Sequence, residues 1–190
     1  MEFEDYKKYK WFFTKSGKLV VGGKSALQND FLLKKITSQK ENYFVMHTSS
    51  PGSPFSVIIS DIGKVKKDDL EECAVFTGCF SKAWKEGKYD TFIDIFMSKS
   101  LFKIKSMNEG TWGVKEKLDR LKVKLEMGLV KQDGILRAVP LNSIKDKSLG
   151  TISPGKKDKD KFAEELTKII KVKKDDILSA IPTGGISFKK

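Results

Sequence analysis

The sequence predicts an α+β fold, with a mixed or antiparallel sheet, packed helices and a small helical hairpin at the C-terminus. Three observations lead to this prediction. Short apolar runs of strand length, bounded by turn residues, dominate residues 1–140. Two segments of the same region have helical periodicity. After residue 140 the strand pattern gives way to lysine-rich amphipathic helices.

The first predicted elements are a β-hairpin and a helix. Residues 10–21 contain two apolar runs separated by a Ser-Gly-Lys turn, which is typical of a hairpin. Gly22 and Gly23 then permit a sharp turn, including positive φ. Ser25 followed by Gln28 matches a capping box, and this pair predicts a helix N-terminus directly after the turn.

The remaining elements follow from periodicity and turn residues. Further strands are predicted over residues 42–46, 55–59, 91–97, 101–105, 122–127 and 134–139. Helices are predicted over residues 25–36 and 68–84. We expect residues 101–105 to pair with the strand before them. Alternating lysines in 122–127 indicate a strand with a basic outer face, and Asp68 or Asp69 is the expected N-cap of the second helix.

The composition changes at residue 141. Residues 141–190 contain 12 lysines against 7 acidic residues, and the tripeptide at 153–155 is expected to break the chain before two short helices. These observations divide the chain into a main domain, residues 1–140, and a basic helical extension, residues 141–190. A helical hairpin of this size is too small to fold alone, so we expect it to dock on the main domain or on a partner.

The charge indicates an anionic partner. Lys and Arg number 37 against 25 acidic residues, which gives a net charge of +12. RNA, DNA, a ribosome or an acidic membrane surface would fit this charge, as would a lysine-rich composition with no such partner. Because Arg120 and Arg137 are the only arginines, recognition of shape and phosphate backbone is favoured over reading of base edges.

Several classes of site are disfavoured. No 18 apolar residues run together and the first ten residues carry no apolar signal segment, so a cytoplasmic protein without a membrane span is expected. Cys73 and Cys79, six residues apart on a helix, would lie about 9 Å apart, too far for a disulfide. With one histidine and no Cys-x-x-Cys pattern, neither a metal nor another cofactor is expected.

Three stretches contain candidate binding residues. Lys24 stands at a helix N-terminus, where free N–H donors favour phosphate, although these features alone favour a plain strand-to-helix connection. His47 precedes a hydroxyl-rich loop and allows three interpretations, namely a general base, a phosphate or RNA contact, or a structural residue. Hydroxyls and backbone N–H groups of Ser49, Gly52 and Ser53 would suit a phosphate, or simply stabilise a turn.

Aromatic residues beside cations are a second group of candidates. Trp84 lies between Lys82 and Lys85, which suits a stacked base, but it also fits the apolar face of the predicted helix. Trp112 lies in a glycine-flanked loop and is a candidate exposed aromatic. Arg137 on the last predicted strand is a further candidate contact to nucleic acid.

Three motifs in order resemble the NFACT RNA-binding domain, which occurs in ribosome quality-control factors and as a stand-alone protein. Residues 11–30 contain an aromatic strand, a Gly-Gly turn and Gln-Asn-Asp. Residues 43–59 contain a strand ending in His, a Pro-Gly-Ser loop and an apolar strand. Residues 80–84 read Phe-Ser-Lys-Ala-Trp. The resemblance covers about residues 9–140 and implies a signature surface of Gly22, Gly23, Lys24, Asn29, His47, Pro51, Gly52, Ser53, Ser81 and Lys82.

The resemblance implies a non-catalytic RNA-binding protein that contacts rRNA or tRNA on the large ribosomal subunit. In the loop after the first His, where family members often carry an acid or a second histidine, this chain has Thr48, Ser49, Ser50 and Pro54, which weakens any acid–base or metal chemistry. The N-terminal domain and coiled coil of the full-length factors are not expected here. Two alternatives remain open, an RNA-modifying enzyme that uses His47 and an adaptor for DNA or an acidic surface.

The expected nucleic-acid contacts are Lys24, Asn29, His47, Ser49, Ser53, Lys82, Trp84, Lys85 and Arg137, with backbone groups of Gly22, Gly23 and Gly52.

Overall fold

The computed structural model describes residues 3–145 and 147–190 and confirms the α+β class. The strands of the described chain are β1 Lys10–Phe13, β2 Leu19–Gly22, β3 Phe44–Thr48, β4 Ser56–Ile59, β5 Asp90–Met97, β6 Leu101–Phe102, β7 Gly113–Val114, β8 Asp119–Lys124, β9 Met127–Gln132, β10 Ile135–Pro140, β11 Thr151–Lys157 and β12 Ile186–Lys189. The α-helices are α1 Ala26–Thr37, α2 Lys67–Cys79, α3 Lys82–Lys85, α4 Lys159–Ile170 and α5 Lys174–Ala180. None of the described helices is long and apolar enough to cross a bilayer.

A six-stranded sheet forms the centre of the fold, in the order β1-β2-β4-β3-β5-β8. Every neighbouring pair in it is antiparallel. Side chains alternate between its two faces, and a different helix covers each face. On one face Leu32 and Ile36 of α1 pack in a cluster with Trp11. On the other face Phe76 of α2 packs with Phe12.

A second antiparallel sheet, ordered β10-β9-β11-β12, joins the C-terminal segment to the rest of the chain. The segment therefore contains two strands besides its two helices. The expected break at residues 153–155 lies inside β11, where the pairing with β12 shifts register between Pro154 and Lys157. Proline cannot donate to the ladder and is tolerated at such an irregularity. Phe162 and Leu166 of α4 share one apolar core with α2, and the division into two domains at residue 140 stays a prediction.

The predicted helix 68–84 is wrong in extent, because it is two helices. α2 ends at Cys79, and α3 begins after Ser81, whose hydroxyl accepts from the Ala83 N–H and donates to the Gly78 carbonyl. The Asp69 carboxylate accepts the Lys66 N–H, so α2 starts earlier than either predicted N-cap. Asp69 also accepts from the hydroxyls of two residues in the β1–β2 turn, which ties this turn to the helix.

Two other predicted strands differ from the structure. The segment after β5 pairs with β7 rather than with β5, because β3 and β8 already occupy both edges of β5. The predicted strand 122–127 is divided, since β8 ends at Lys124 and β9 begins at Met127. Its basic outer face is confirmed for Lys122 and Lys124, which are exposed. The two cysteines are buried free thiols.

The β9–β10 hairpin docks against the outer edge of β1. The Gln132 side-chain amide accepts the Phe13 N–H at 2.7 Å and donates to the Phe13 carbonyl at 2.8 Å. Gln132 thereby replaces the missing neighbour strand at this position. Asp133 accepts the hydroxyl of Tyr6 and pairs with Lys7, which fixes the hairpin tip to the N-terminal segment.

Gln132→Ala removes both of these hydrogen bonds and leaves the part-buried amide and carbonyl of Phe13 without their partner. We expect the free energy of unfolding to fall by about 1–2 kcal/mol. Urea denaturation measures this change. Lys131→Ala, which alters the exposed neighbour of Gln132, is the matched control, and an equal loss in the control would contradict the assignment.

Candidate nucleic-acid interface

A cleft of about 530 Å³ opens on the α1 face of the six-stranded sheet. The N-terminal turn of α1, the end of β3 and two loops form its walls. The lining residues are Ala26, Asn29, His47, Thr48, Ser49, Pro51, Gly52, Ser53, Phe55, Asp94, Phe96, Glu109, Gly110, Thr111, Trp112 and Val114. The structure therefore brings together the first two resembling motifs, which are separated in the sequence.

The loop after β3 is ordered by its own hydrogen bonds. Ser53 Oγ accepts the Thr48 N–H at 3.0 Å, and Thr48 Oγ1 donates to the Ser50 carbonyl at 2.6 Å. Ser49 Oγ donates to Asp94 at 2.9 Å. The O–H groups of Thr48 and Ser49 are thus engaged within the protein, which favours the turn interpretation for Ser49, whereas Ser53 uses its oxygen as an acceptor and its phosphate contact stays a prediction. The loop is a rigid rim of the cleft.

Gly52 joins this loop to α3. Its carbonyl accepts the Lys82 N–H at 2.6 Å, and its φ of 114° lies in a region that side chains disfavour. A Cβ on Gly52 would also lie 3.0 Å from the Lys82 Cβ. The second and third resembling motifs therefore touch at this point, with the exposed Lys82 beside the loop.

His47 lies half-buried in the cleft wall with its ring packed on Phe55, the centroids being 4.4 Å apart. Its Nδ1 lies 2.7 Å from the Thr48 carbonyl and, in the neutral ring, donates to it. Burial lowers the pKa of His47 below its ordinary value, which favours the neutral ring at pH 7. Nε2 is then the ring's hydrogen-bond acceptor, and the ring's contact is a carbonyl rather than a carboxylate.

Asp94 lines the cleft and is not among the site residues that the sequence analysis named. It lies opposite His47 in the β3–β5 register and accepts from Arg120 at 2.6 Å and from Lys117 at 2.9 Å, besides Ser49. Burial alone would raise the pKa of Asp94, but these donors outweigh it and lower the pKa to about 2. One carboxylate thus positions two cations at the rim of the cleft, and the three groups together carry a net positive charge.

Asp30 fixes the opposite wall. Its carboxylate accepts from Lys103 at 2.9 and 3.0 Å and from Trp112 Nε1 at 2.7 Å. Burial would raise the pKa of Asp30, yet the hydrogen bonds from Lys103, Trp112 and the Gly110 amide bring it below the ordinary value. Trp112 is consequently half-buried and anchored by its Nε1 rather than free in an exposed loop.

The sheet beyond the cleft is uncovered on the same face. Phe92 of β5 is 48% exposed, and Lys122 of β8 stands opposite it with Nζ 5.9 Å from its ring centroid. Arg120 and Lys124 lie on the same side of β8 because side chains alternate along a strand. This open sheet face, defined by Phe92, Arg120, Lys122 and Lys124, combines an exposed aromatic ring with cations.

Glycine is needed at positions 22 and 23 for a different physical reason from the predicted one. Neither Gly22 nor Gly23 has positive φ. A Cβ on Gly23 would instead overlap Asn29 Oδ1, and one on Gly22 would lie 3.2 Å from Ser56 Oγ. Asn29 is buried, and its Oδ1 accepts the Phe55 N–H at 3.2 Å. These residues hold α1 against β4 and shape the cleft by close packing.

Two predicted contacts are buried and lie outside the cleft lining. Trp84 is 0% exposed, and its Nε1 donates to the Gly185 carbonyl, so it cannot stack on a base and the core interpretation holds. Arg137 is 5% exposed and lies at the β1 edge, outside the cleft lining. Lys24 and Lys85 are exposed and also lie outside that lining.

Asp94 had a usable sequence signal. It is an acid between two phenylalanines on the side of β5 opposite Ile93 and Ile95. An acid in an otherwise apolar strand needs a partner when buried, and the nearby cations of 117–124 could supply it. The pairing of β5 with β8, however, was not part of the predicted sheet.

Comparison with known proteins gives three results. A family described as "NFACT protein RNA binding domain" matches residues 8–116, more than half of the chain. The archaeal Rqc2 homolog aRqcH of Methanocaldococcus jannaschii is 29% identical over 201 residues, covering 97% of this chain and 29% of that protein. The chain thus spans less than a third of the length of this curated relative.

A solved structure shares the fold. It is that of the C-terminal part of the fibronectin/fibrinogen-binding protein from Streptococcus suis, with a TM-score of 0.54 and 22% sequence identity. The match covers 60% of this chain and 45% of that chain. At this identity the likeness concerns the fold alone.

Asp30→Ala leaves Lys103 without its buried partner and removes the anchor of Trp112. We expect a loss of about 3 kcal/mol in unfolding free energy and greater exposure of the indole. Because Trp11 and Trp84 are buried, a red shift of tryptophan emission in the folded variant would report Trp112. Glu109→Ala changes an exposed acid of the same loop and should shift neither quantity.

The Asp94 carboxylate predicts an acid-dependent loss of stability. Its folded pKa of about 2 lies below the ordinary 3.8, so its contribution is present above pH 4 and is lost as the pH falls through 2. Between pH 5 and pH 2, we expect the wild type to lose about 2 kcal/mol more than Asp94→Asn. Denaturation at both pH values measures this difference. The control Asp90→Asn, exposed on the same strand, should behave as the wild type.

Proposed function

The chain belongs to the NFACT RNA-binding domain family, and from this premise we propose that it binds RNA across the cleft and the open sheet face. One observation carries the assignment to this surface. Exposed cations and an exposed aromatic ring stand side by side on the uncovered β5–β8 face, next to a loop that is already rigid. Cations for phosphates and rings for bases are the combination that single-stranded segments of RNA require.

The cleft supports recognition by shape. Asp94 fixes Arg120 and Lys117 in place, so these cations lose little conformational freedom when a phosphate approaches. The loop 49–53 is held by internal hydrogen bonds, and it offers an ordered edge to a ligand. The neutral His47 presents Nε2 as an acceptor, suited to a 2′-hydroxyl or a base N–H.

The proposed role is binding without catalysis. The His47 ring contacts a main-chain carbonyl, and the facing Asp94 is held by two cations, so the pair lacks the hydrogen bond that a general base and its orienting acid need. In an RNA-modifying enzyme that uses His47, His47→Ala would abolish turnover. For the role proposed here we expect His47→Ala to change affinity alone.

The proposed RNA is rRNA or tRNA on the large ribosomal subunit, in ribosome quality control. The relation to an Rqc2 homolog supports this part of the proposal. Sedimentation of the tagged chain from lysate through a sucrose gradient tests it. We expect co-migration with large subunits at low salt and release at high salt. A chain that stays at the top of the gradient at low salt would contradict the ribosomal role.

Substitutions on the open sheet face test whether RNA binds there. Lys122→Ala should weaken tRNA binding and reduce the slope of log affinity against log salt by about 0.7–0.9. Phe92→Ala should weaken binding by about 1–3 kcal/mol if a base stacks there, that is by roughly 5- to 150-fold. Fluorescence anisotropy with labelled tRNA, and duplex DNA as competitor at equal salt, provides the measurement.

Matched controls lie on α1. Lys34→Ala removes an exposed lysine, and Phe31→Ala removes an aromatic ring that is 58% exposed. Neither should change the affinity. If the α1 variants and the sheet variants weaken binding equally, the binding surface is not the one proposed. Equal affinity for tRNA and duplex DNA would contradict RNA recognition.

A further inference from the structure

The fold covers one edge of the six-stranded sheet and leaves the other open. Gln132 bonds to the outer edge of β1, whereas β8, at the opposite end of the sheet, pairs on one side only, with β5. An uncovered edge strand presents backbone N–H and C=O groups without partners, and an extended segment of another chain can pair with them. β8 is therefore a place where a further strand can be added.

The hydrogen bonds between β5 and β8 show which backbone groups of β8 are free. The Leu125 N–H donates to the Tyr89 carbonyl of the β5 side at 2.8 Å. Because backbone groups alternate in direction along an antiparallel strand, the N–H and C=O groups of Val123 also point to β5. Those of Lys122 and Lys124 point the other way, to the open edge.

A groove of about 290 Å³ lies beside this edge, and its lining includes residues 121–124 in succession. Its apolar side chains come from three elements, namely Leu121 and Val123 of β8, Val75 of α2 and Leu141 of the turn after β10. Leu121 and Val123 pack with the core that contains α2, on the side of the sheet opposite the open sheet face. A strand added to β8 would lay every second side chain along this apolar surface.

The groove also carries acids, although the chain has a net charge of +12. Glu71, Glu72 and Glu126 line it. Glu71 and Glu126 each have a lysine partner, at 3.7 and 2.9 Å, whereas the buried Glu72 has no ion pair among the residues that the structure describes. Burial raises the pKa of Glu72 to about 7, and a cationic group placed in the groove would favour the ionised carboxylate.

The two sides of β8 therefore differ in the side chains that they favour on a neighbouring strand. The groove side favours apolar residues with a basic residue near the acids. The opposite side carries Arg120, Lys122 and Lys124 and favours acidic residues. A second copy of this chain does not match, because antiparallel pairing of β8 with itself would place Lys122 opposite a lysine.

We propose that the open edge of β8 and its groove bind an extended peptide segment of a partner protein, which adds a strand to the six-stranded sheet. The segment alternates acidic with apolar residues and has a basic residue in its apolar row. Backbone groups of Lys122 and Lys124 supply the hydrogen bonds, and the groove selects the side chains. Because β8 also contributes to the open sheet face, the partner is held beside the surface proposed for RNA.

Hydrogen exchange of the backbone amides, followed by NMR on the full chain, tests this proposal. The probe is a synthetic peptide in which valine and glutamate alternate and lysine replaces the last valine. Without peptide, the amides of Lys122 and Lys124 should exchange fast, and that of Val123, which is bonded to β5, slowly. Peptide at about ten times its Kd should slow exchange at Lys122 and Lys124 about tenfold. Unchanged exchange at both amides in about 1 mM peptide would overturn the proposal.

A matched pair of leucines tests the groove. Leu141→Ala removes part of its apolar wall and should weaken peptide binding roughly fivefold, as measured by fluorescence anisotropy of the labelled peptide. Leu149→Ala is the control, because both leucines are 37% exposed and Leu149 lies outside the groove. An equal loss of affinity in the two variants would overturn the groove as the binding site.

A pair of acids on α2 tests the charge complementarity. Glu71→Gln should weaken binding of the lysine-bearing peptide about threefold and leave binding of a peptide with valine in place of that lysine unchanged. Asp68→Asn changes an exposed acid of the same helix outside the groove lining and should alter neither affinity. Equal effects of Glu71→Gln on the two peptides would overturn the predicted basic residue.

The same exchange measurement identifies other occupants of the edge. Protection of Lys122 and Lys124 that rises with the concentration of the chain alone would assign the edge to a second copy and overturn the proposal. Protection by tRNA, with displacement of the peptide, would assign the edge to RNA and also overturn it.

The proposed function is tested separately from this site. Leu141→Ala should keep the tRNA affinity of the wild type while it loses peptide affinity. A wild-type chain that binds the peptide at β8 but binds no tRNA would support the peptide site and contradict the proposed function. A chain that binds tRNA but shows no peptide-dependent protection of Lys122 and Lys124 would do the reverse.

Discussion

The contact between Gln132 and the edge of β1 is the constraint on which the rest of the architecture depends. An edge strand exposes backbone donors and acceptors, and here one amide side chain satisfies both groups of Phe13. This contact places β9 and β10 beside the central sheet. Because β11 and β12 extend the same second sheet, the position of this sheet also sets the position of α4 and α5, which lie between these two strands in the chain.

Buried acids organise a surface whose overall charge is strongly positive. Asp30 holds Lys103 and the Trp112 loop, and Asp94 holds Arg120 and the loop after β3. Each carboxylate is stabilised by several donors, and each therefore fixes side chains that would otherwise move freely. A chain with net charge +12 thus uses a few acids to give its cations defined positions, which favours recognition of shape over simple charge attraction.

The sequence by itself determined the α+β class, the hairpin of β1 and β2, the cap of α1 at Ser25 and the family resemblance. These features are local: they depend on residues within a few positions of one another, such as Ser25 accepting the Gln28 N–H at 3.2 Å. The motif order placed Asn29, His47 and Gly52 on one surface, and these three residues line the cleft, while their role in binding stays a prediction.

Only the tertiary structure decided which candidate side chains are available for binding. Trp84 and Arg137 look alike as candidates in the sequence, yet packing buries one in the core and leaves the other with an unpaired donor at a sheet edge. The pairing of β5 with β8 created the site around Asp94. Burial and charge proximity depend on contacts between residues far apart in the chain, and local periodicity carries no information about them.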